Sequence, residues 1–293
     1  LSQQCQDPGL TAQVLYFLHR FVFGYAGAMR GFEESLALWR QVGRSDRIVE
    51  VLNFVAWYTW CLGDYAKASA YWQENLELCT TLGMQDALAW ALDSLGLTAW
   101  CQGDLATAQS YLQQAAELYH AISRPSKVGM SLAELALVLR SSGAVEQAVT
   151  VARQAITIVR DTEDSMMLIS SLNFLGATLI GAGDFAAARK ALNEAIQRAF
   201  VAHYPYFVAV AFYYFAELLV LESRAVNLPL ALERKRLVLA LLSFVRAQTA
   251  TWQIYKDKAS QLQAEIEHAL PADLRTAAIA HGQSHSVAHG YYH

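Results

Sequence analysis

The fold is decided by residues 87–122, which read ALAWALDSLGLTAWCQGDLATAQSYLQQAAELYHAI. In the first half, apolar residues recur every three or four positions, the period of one helix face, at Leu88, Leu92, Leu95 and Ala99. Gly103-Asp104 then interrupts the pattern, because glycine adopts the positive φ that ends a helix and aspartate caps the next one. A second helical face follows, made of Leu105, Ala108, Leu112, Ala115 and Ala116. The stretch therefore predicts two antiparallel helices, A and B, joined by a tight turn.

The same pattern recurs along the chain with a period of 40 residues. Gly-Asp begins at Gly63, Gly103 and Gly183, and Gly143-Ala144 fills the remaining position. Three further columns keep this period: Ala28, Ala68, Ala108, Ala148 and Ala188; Leu52, Leu92, Leu132, Leu172 and Phe212; and Ala56, Gly96, Ala136, Gly176 and Ala216. A bulky side chain in the last column would hold the two helices of a pair apart. We predict helix pairs at 4–43, 44–83, 84–123, 124–163 and 164–203, and a single A helix at 206–222.

The C-terminal part departs from this period. Residues 230–247 and 252–268 predict two amphipathic helices, and Pro271 begins a shorter one at 271–281. We therefore divide the chain into a repeat array, residues 1–224, and a C-terminal segment of capping helices and a tail, residues 225–293.

The repeat resembles the tetratricopeptide repeat (TPR). The resemblance rests on the small residues Gly96 and Gly176 of helix A, the Gly-Asp turn, and Ala108 and Ala188 of helix B. A 40-residue unit is longer than the usual one of about 34 residues, and is similar to the arrays of the maltose-regulon activator MalT and its relatives. The resemblance implies an all-α, right-handed superhelical solenoid of antiparallel helix pairs with a C-terminal helical extension. The first pair departs from the pattern, because Tyr16 occupies the small-residue column.

Residues 250–283 resemble the tail that follows TPR arrays in large bacterial regulators of the STAND class. The resemblance implies a cytoplasmic sensor domain coupled to an ATPase and an effector encoded upstream of Leu1. The sequence itself contains no P-loop, dinucleotide fingerprint, nucleophile elbow or H-E-x-x-H zinc motif. We therefore expect no catalytic residues in this chain and no cofactor.

Composition excludes several other classes. Charged residues make up 16% and hydrophobic residues 55% of the chain, which excludes an extended disordered protein. The net charge is −4 and no basic block occurs, which argues against nucleic-acid binding. The most apolar stretch, Phe207 to Leu221, contains Glu217 and is too short to span a membrane. Four cysteines without a C-x-x-C pair predict reduced thiols in the cytoplasm.

TPR arrays bind partners on the face lined by their A helices. The 40-residue register places thirteen candidate residues in the inner columns of these helices: Phe17, Arg20, Asn53, Trp57, Trp60, Trp90, Asp93, Leu97, Trp100, Met130, Leu137, Arg140 and Asn173. Aromatic walls with few polar anchors favour an apolar peptide, a hydrophobic protein segment or a small amphiphile. The alternative interpretation is that the tryptophans only pack between repeats. Arg20 and Arg140 are too few basic residues for a groove that captures an acidic tail.

Two further groups of residues each allow two interpretations. His281, His285, His289 and His293 recur every fourth residue and could hold a metal on one helix face. We favour an incidental tail, since Gly282 and Gly290 weaken a helix there. Aromatic residues crowd the last A helix at Tyr204, Tyr206, Phe207, Phe212, Tyr213, Tyr214 and Phe215. We expect them to seal the array against the C-terminal helices rather than to cap a groove.

Three functions are compared. The first is the ligand-sensing TPR domain of a STAND-type ATPase regulator, which recognises its ligand in the inner groove. The second is a free-standing TPR adaptor for protein assembly. The third, part of an enzyme, is least favoured because the catalytic motifs are missing.

Overall fold

The computed structural model describes residues 7–20, 25–224, 228–268 and 270–284. All regular secondary structure in these ranges is α-helical, which confirms the predicted fold class. The helices are α1 Pro8–Arg20, α2 Tyr25–Val42, α3 Ser45–Cys61, α4 Tyr65–Leu82, α5 Gln85–Cys101, α6 Leu105–Ala121, α7 Pro125–Ser141, α8 Val145–Arg160, α9 Ser165–Gly181, α10 Phe185–Val201, α11 Pro205–Ser223, α12 Leu228–Ala247, α13 Gln253–Glu267 and α14 Ala272–Gln283.

The chain forms two compact units, Leu1–Ser131 and Leu132–His293, with the division inside α7. The first unit contains the helix pairs α1/α2, α3/α4 and α5/α6. The second contains α8 to α14, and its α12 packs directly on α11. The predicted boundary at residue 224 therefore marks a change of repeat pattern within the second unit.

The turns inside the helix pairs form as the sequence predicts. Gly63, Gly103, Gly143 and Gly183 all adopt a positive φ, between 76° and 89°. The aspartate after three of these glycines accepts a hydrogen bond from the backbone N–H three residues on, as Asp184 does from Ala187 at 3.1 Å. These bonds satisfy amide groups that a helix start otherwise leaves unpaired.

The small-residue column brings the helices of a pair into close contact, as predicted. An added Cβ at Gly96 would lie 2.7 Å from Cγ of Leu112, and one at Gly176 would lie 2.6 Å from Cγ of Leu192. In the first pair, Tyr16 fills this column and is buried with its ring 6.0 Å from that of Phe32.

The aromatic residues of α11 pack against the C-terminal helices. The ring of Phe212 lies 5.3 Å from that of Phe244 on α12. The hydroxyl groups of Tyr214 and Tyr255 are hydrogen bonded at 3.0 Å, and Tyr255 lies on α13. These contacts confirm, for these side chains, that the aromatic cluster seals α11 against α12 and α13.

Helix α11 is longer than the sequence pattern indicated. It has 19 residues, one more at each end than the predicted 206–222, and by length and composition alone it could cross a membrane, whereas the stretch Phe207–Leu221 on its own is too short. The ends were missed because Pro205 starts the helix two residues before the apolar run. Of the apolar window, 61% is buried inside the structure, as in the core helix of a soluble protein.

Helix α14 continues to Gln283 and includes both His281 and Gly282. The expectation that Gly282 weakens a helix here was wrong for α14, because this glycine is buried against α12. Within the described ranges, no three His, Cys, Asp or Glu side chains are grouped so as to hold a metal ion. The other three histidines of the series, His285, His289 and His293, lie outside those ranges.

Candidate binding surface

An aromatic ladder runs across three A helices of the first unit. Its members are Phe17 and Tyr16 on α1, Phe54 on α3 and Trp90 on α5, with successive ring centroids 5.4, 5.5 and 5.9 Å apart. Edge-to-face aromatic pairs of this kind each contribute about 0.5–1.5 kcal/mol beyond their burial. The ladder therefore orders the side chains at the inner columns of α1, α3 and α5.

The four predicted groove tryptophans divide into two kinds. Trp57 and Trp90 are half-buried and present part of their rings to solvent. Trp60 and Trp100 are buried, at 2% and 8% exposure. Trp57 stacks on Trp60 with ring centroids 5.1 Å apart and planes at 15°. The packing interpretation applies to Trp60 and Trp100, whereas Trp57 and Trp90 stay candidates for ligand contact.

The other apolar candidates differ in exposure. Phe17 is 48% exposed and Met130 is half-buried. Leu97 and, in the second unit, Leu137 are buried. Arg20 belongs to α1, but its side chain is outside the described residues. Accessible apolar surface at the inner columns of the first unit is therefore found at Phe17, Trp57, Trp90 and Met130.

The predicted polar anchors are buried and bonded within the protein. Asn53 accepts a hydrogen bond at 2.6 Å from the side-chain amide of Asn75 on α4. Asp93 accepts one from the hydroxyl of Ser131 on α7. In the second unit, the side-chain amide of Asn173 donates to the carbonyl of Phe207 at 3.2 Å. Pairing offsets the cost of burying these groups, except at Oδ1 of Asn173, which has no hydrogen-bond partner among the described residues. Each bond ties an A helix to a following helix.

Arg140 stands at an inner column of the second unit. Its side chain passes over Gly181 at the end of α9, where an added Cβ would lie 3.1 Å from its Nε. The guanidinium forms an ion pair with Glu217 on α11, and the two side chains are 20% and 22% exposed. Burial, together with the Glu217 carboxylate, raises the pKa of the neighbouring Tyr213 phenol and keeps it neutral.

One accessible charged residue was missed from the sequence. The ammonium group of Lys127, in the first turn of α7, lies 5.8 Å from the centre of the Trp90 ring. A cation above a tryptophan face gains about 0.5–1 kcal/mol at an exposed site. The sequence could have identified Lys127, because position 127 is one helical turn before Met130 on the same face of the helix.

Cys79 offers a pH test of burial in the first unit. Burial raises the pKa of its thiol from 9.0 to about 11. The unfolded thiol loses its proton first, so the free energy of unfolding should fall as the pH rises from about 9 to about 11. Urea titrations at several pH values would give this free energy for wild type and for Cys79→Ala. We expect it to fall more steeply with pH in the wild type. The same pH dependence in both proteins would contradict the burial of this thiol.

The sequence matches the family model for the tetratricopeptide repeat over residues 50–121 and 128–199, just under half of the chain. No protein of curated function matches it at a significant level.

Solved structures with this fold include three of particular interest. The Rap conjugation gene regulator of plasmid pLS20, in complex with the Phr peptide, is 13% identical with a TM-score of 0.58, over 89% of this chain and 74% of that one. A Rap protein complexed with competence and sporulation factor is 17% identical with a TM-score of 0.54, over 76% of this chain and 66% of that one.

The third is a signal transduction ATPase with numerous domains (STAND) with a tetratricopeptide repeat sensor, from Pyrococcus horikoshii. It is 13% identical with a TM-score of 0.53, and this chain, matched over 90% of its length, spans 43% of that protein. At these identities the likeness shows the fold alone. Residues 50–121 and 128–199 thus carry tetratricopeptide repeats, and the chain has the α-solenoid fold built from them.

Proposed function

We propose that this chain is the sensor domain of a STAND-type regulator, which binds an apolar peptide or protein segment and relays binding to an ATPase. One observation carries the binding part of the proposal. Three successive A helices of the first unit, α1, α3 and α5, each present aromatic ring surface at an inner column, from Phe17, Trp57 and Trp90.

The chemistry of this surface favours a segment with large apolar side chains. The rings are held by neighbouring aromatic residues, so little conformational entropy is lost when a ligand packs on them. A charge stands beside one of the rings, because the ammonium group of Lys127 lies 5.8 Å from the centre of the Trp90 ring. A tryptophan-centred apolar patch with a cation beside it has the composition of an interface hot spot.

The comparisons support the proposal without testing it. Two Rap proteins of this fold were solved with peptides or signalling factors bound, and a STAND protein uses a TPR sensor. Relay requires that the ligand bind one state of the parent protein more tightly than the other. The sensor and adaptor functions predict different genes. A P-loop ATPase encoded upstream of Leu1 would support the sensor proposal, and a gene without such an ATPase would contradict the sensor proposal.

The binding part can be tested on the purified chain. We would select peptides from a random phage-displayed library and measure their dissociation constants for wild type, Trp57→Ala and Tyr111→Ala. Trp57→Ala should weaken binding tenfold or more, because removing a hot-spot side chain costs about 1.4–3 kcal/mol. Ligand binding should also change tryptophan fluorescence in the wild type.

Two controls separate binding from folding. Tyr111 is half-buried on α6, on a B helix, and its replacement should change affinity less than twofold. Trp57→Phe keeps an aromatic ring and should retain most of the affinity. Equal affinity of wild type and Trp57→Ala for the selected peptides would refute the site.

A further inference from the structure

Helix α1 carries a second apolar surface. Val14 and Leu18, four residues apart on one helix face, are 47% and 60% exposed. Leu10 continues this face towards the N-terminus at 52% exposure. The opposite side of α1 is fixed, since the hydroxyl of Ser35 on α2 donates to the carbonyl of Ala12 at 2.8 Å. The exposed face is therefore held in a defined orientation on the first unit.

The positions equivalent to Val14 and Leu18 are half-buried or buried in the following repeats. Forty residues on, Phe54 and Tyr58 take the same positions on α3, and their rings lie 5.5 and 5.3 Å from that of Phe32 on α2. Forty residues further, Ser94 and Thr98 on α5 are 3% and 0% exposed. In the array, this face of an A helix belongs to the interface with the B helix of the preceding pair.

In two B helices a large aromatic residue makes this contact. Phe32 on α2 packs against Phe54 and Tyr58 of α3, and the ring of Trp72 on α4 lies 6.0 Å from that of Trp90 on α5, which takes the position of Leu10. A repeat at the end of an array needs a polar outer face to stay soluble. The face of α1 that bears Leu10, Val14 and Leu18 is apolar instead.

We propose that this face of α1 docks the B helix of a further helix pair of the same repeat type, through a large apolar residue at the position that Phe32 and Trp72 occupy in α2 and α4. The inter-repeat interface seen at α2/α3 continues to this face in the same register. This docking is independent of ligand binding at Trp57.

The proposal can be tested by supplying such a pair. A second copy of residues 44–83 would be fused in front of residue 4 of the full chain, which continues the 40-residue register. Hydrogen exchange of the α1 amides should slow at least tenfold in the fusion. Leu18→Arg should abolish this slowing in the fusion, and should change the exchange of the unfused chain less than twofold because Leu18 is exposed.

Further outcomes decide against the proposal. Unchanged hydrogen exchange of α1 in the fusion overturns it. So does slowed exchange that persists both with Leu18→Arg in α1 and with Trp72→Ala in the added copy of residues 44–83. A dimer of the unfused chain that sedimentation detects, and that Leu18→Arg dissociates, would identify a second copy as the occupant instead. A Trp57→Ala variant of the fusion should show the same slowing, which separates this result from failure of the peptide site.

Discussion

Replacing Gly282 with alanine should undock α14 from α12 while the repeat helices stay folded. A Cβ at this position would overlap the carbonyl oxygen of Ala240 and lie 2.8 Å from Cβ of Ser243. A backbone carbonyl within a helix cannot move aside as a side chain can, so α14 itself must shift. Overpacking of this kind typically costs about 1–3 kcal/mol, and we expect the upper end.

The measurement is hydrogen exchange resolved by segment. At about 3 kcal/mol, amide exchange across 272–283 should accelerate roughly a hundredfold, while α9 should remain protected. Thr276→Ala is the matched control, since Thr276 is exposed on α14 and alanine raises helix propensity there without an overlap. Slow exchange of α14 in Gly282→Ala would contradict the packing of this glycine on α12.

Gly282 also shows where sequence reasoning fails. From the sequence, a glycine in a short terminal segment looks like a helix breaker, because its partner on α12 is about 40 residues away and outside the repeat register. Glycines inside the register were interpreted correctly. Gly103 and Gly183 recur at one period beside aspartate, so a local rule about positive φ and capping was sufficient.

The repeat register predicted which positions lie at the candidate surface, but it did not predict how exposed each side chain is. Trp57 and Trp60 lie three residues apart on one helix, yet Trp57 is half-buried and Trp60 is buried. Likewise, an asparagine at an inner column looks the same whether it binds a ligand or a neighbouring helix. Asn173 bonds the carbonyl of Phe207, 34 residues away. Such pairings depend on tertiary contacts that periodicity does not specify.

Gly176→Ala should destabilise the second unit, even though alanine is the better helix former. The new Cβ would lie 2.6 Å from both Cγ and Cδ2 of Leu192, which is itself fully buried. Cγ is close to the backbone and cannot swing away, so α9 and α10 must separate. Overpacking of about 2–3 kcal/mol exceeds a helix-propensity gain of about 1 kcal/mol, which leaves a net loss of about 1–2 kcal/mol in urea unfolding.

A double-mutant cycle with Leu192→Ala isolates the cause. Leu192→Ala alone should cost about 2–5 kcal/mol, because it removes a buried side chain. In that background the overlap is gone, and Gly176→Ala should stabilise the protein by about 0.5–1 kcal/mol through helix propensity. The sign of the Gly176→Ala effect should therefore reverse between the two backgrounds. If the substitution is equally destabilising in both, the close approach of α9 and α10 is not what selects glycine in this column.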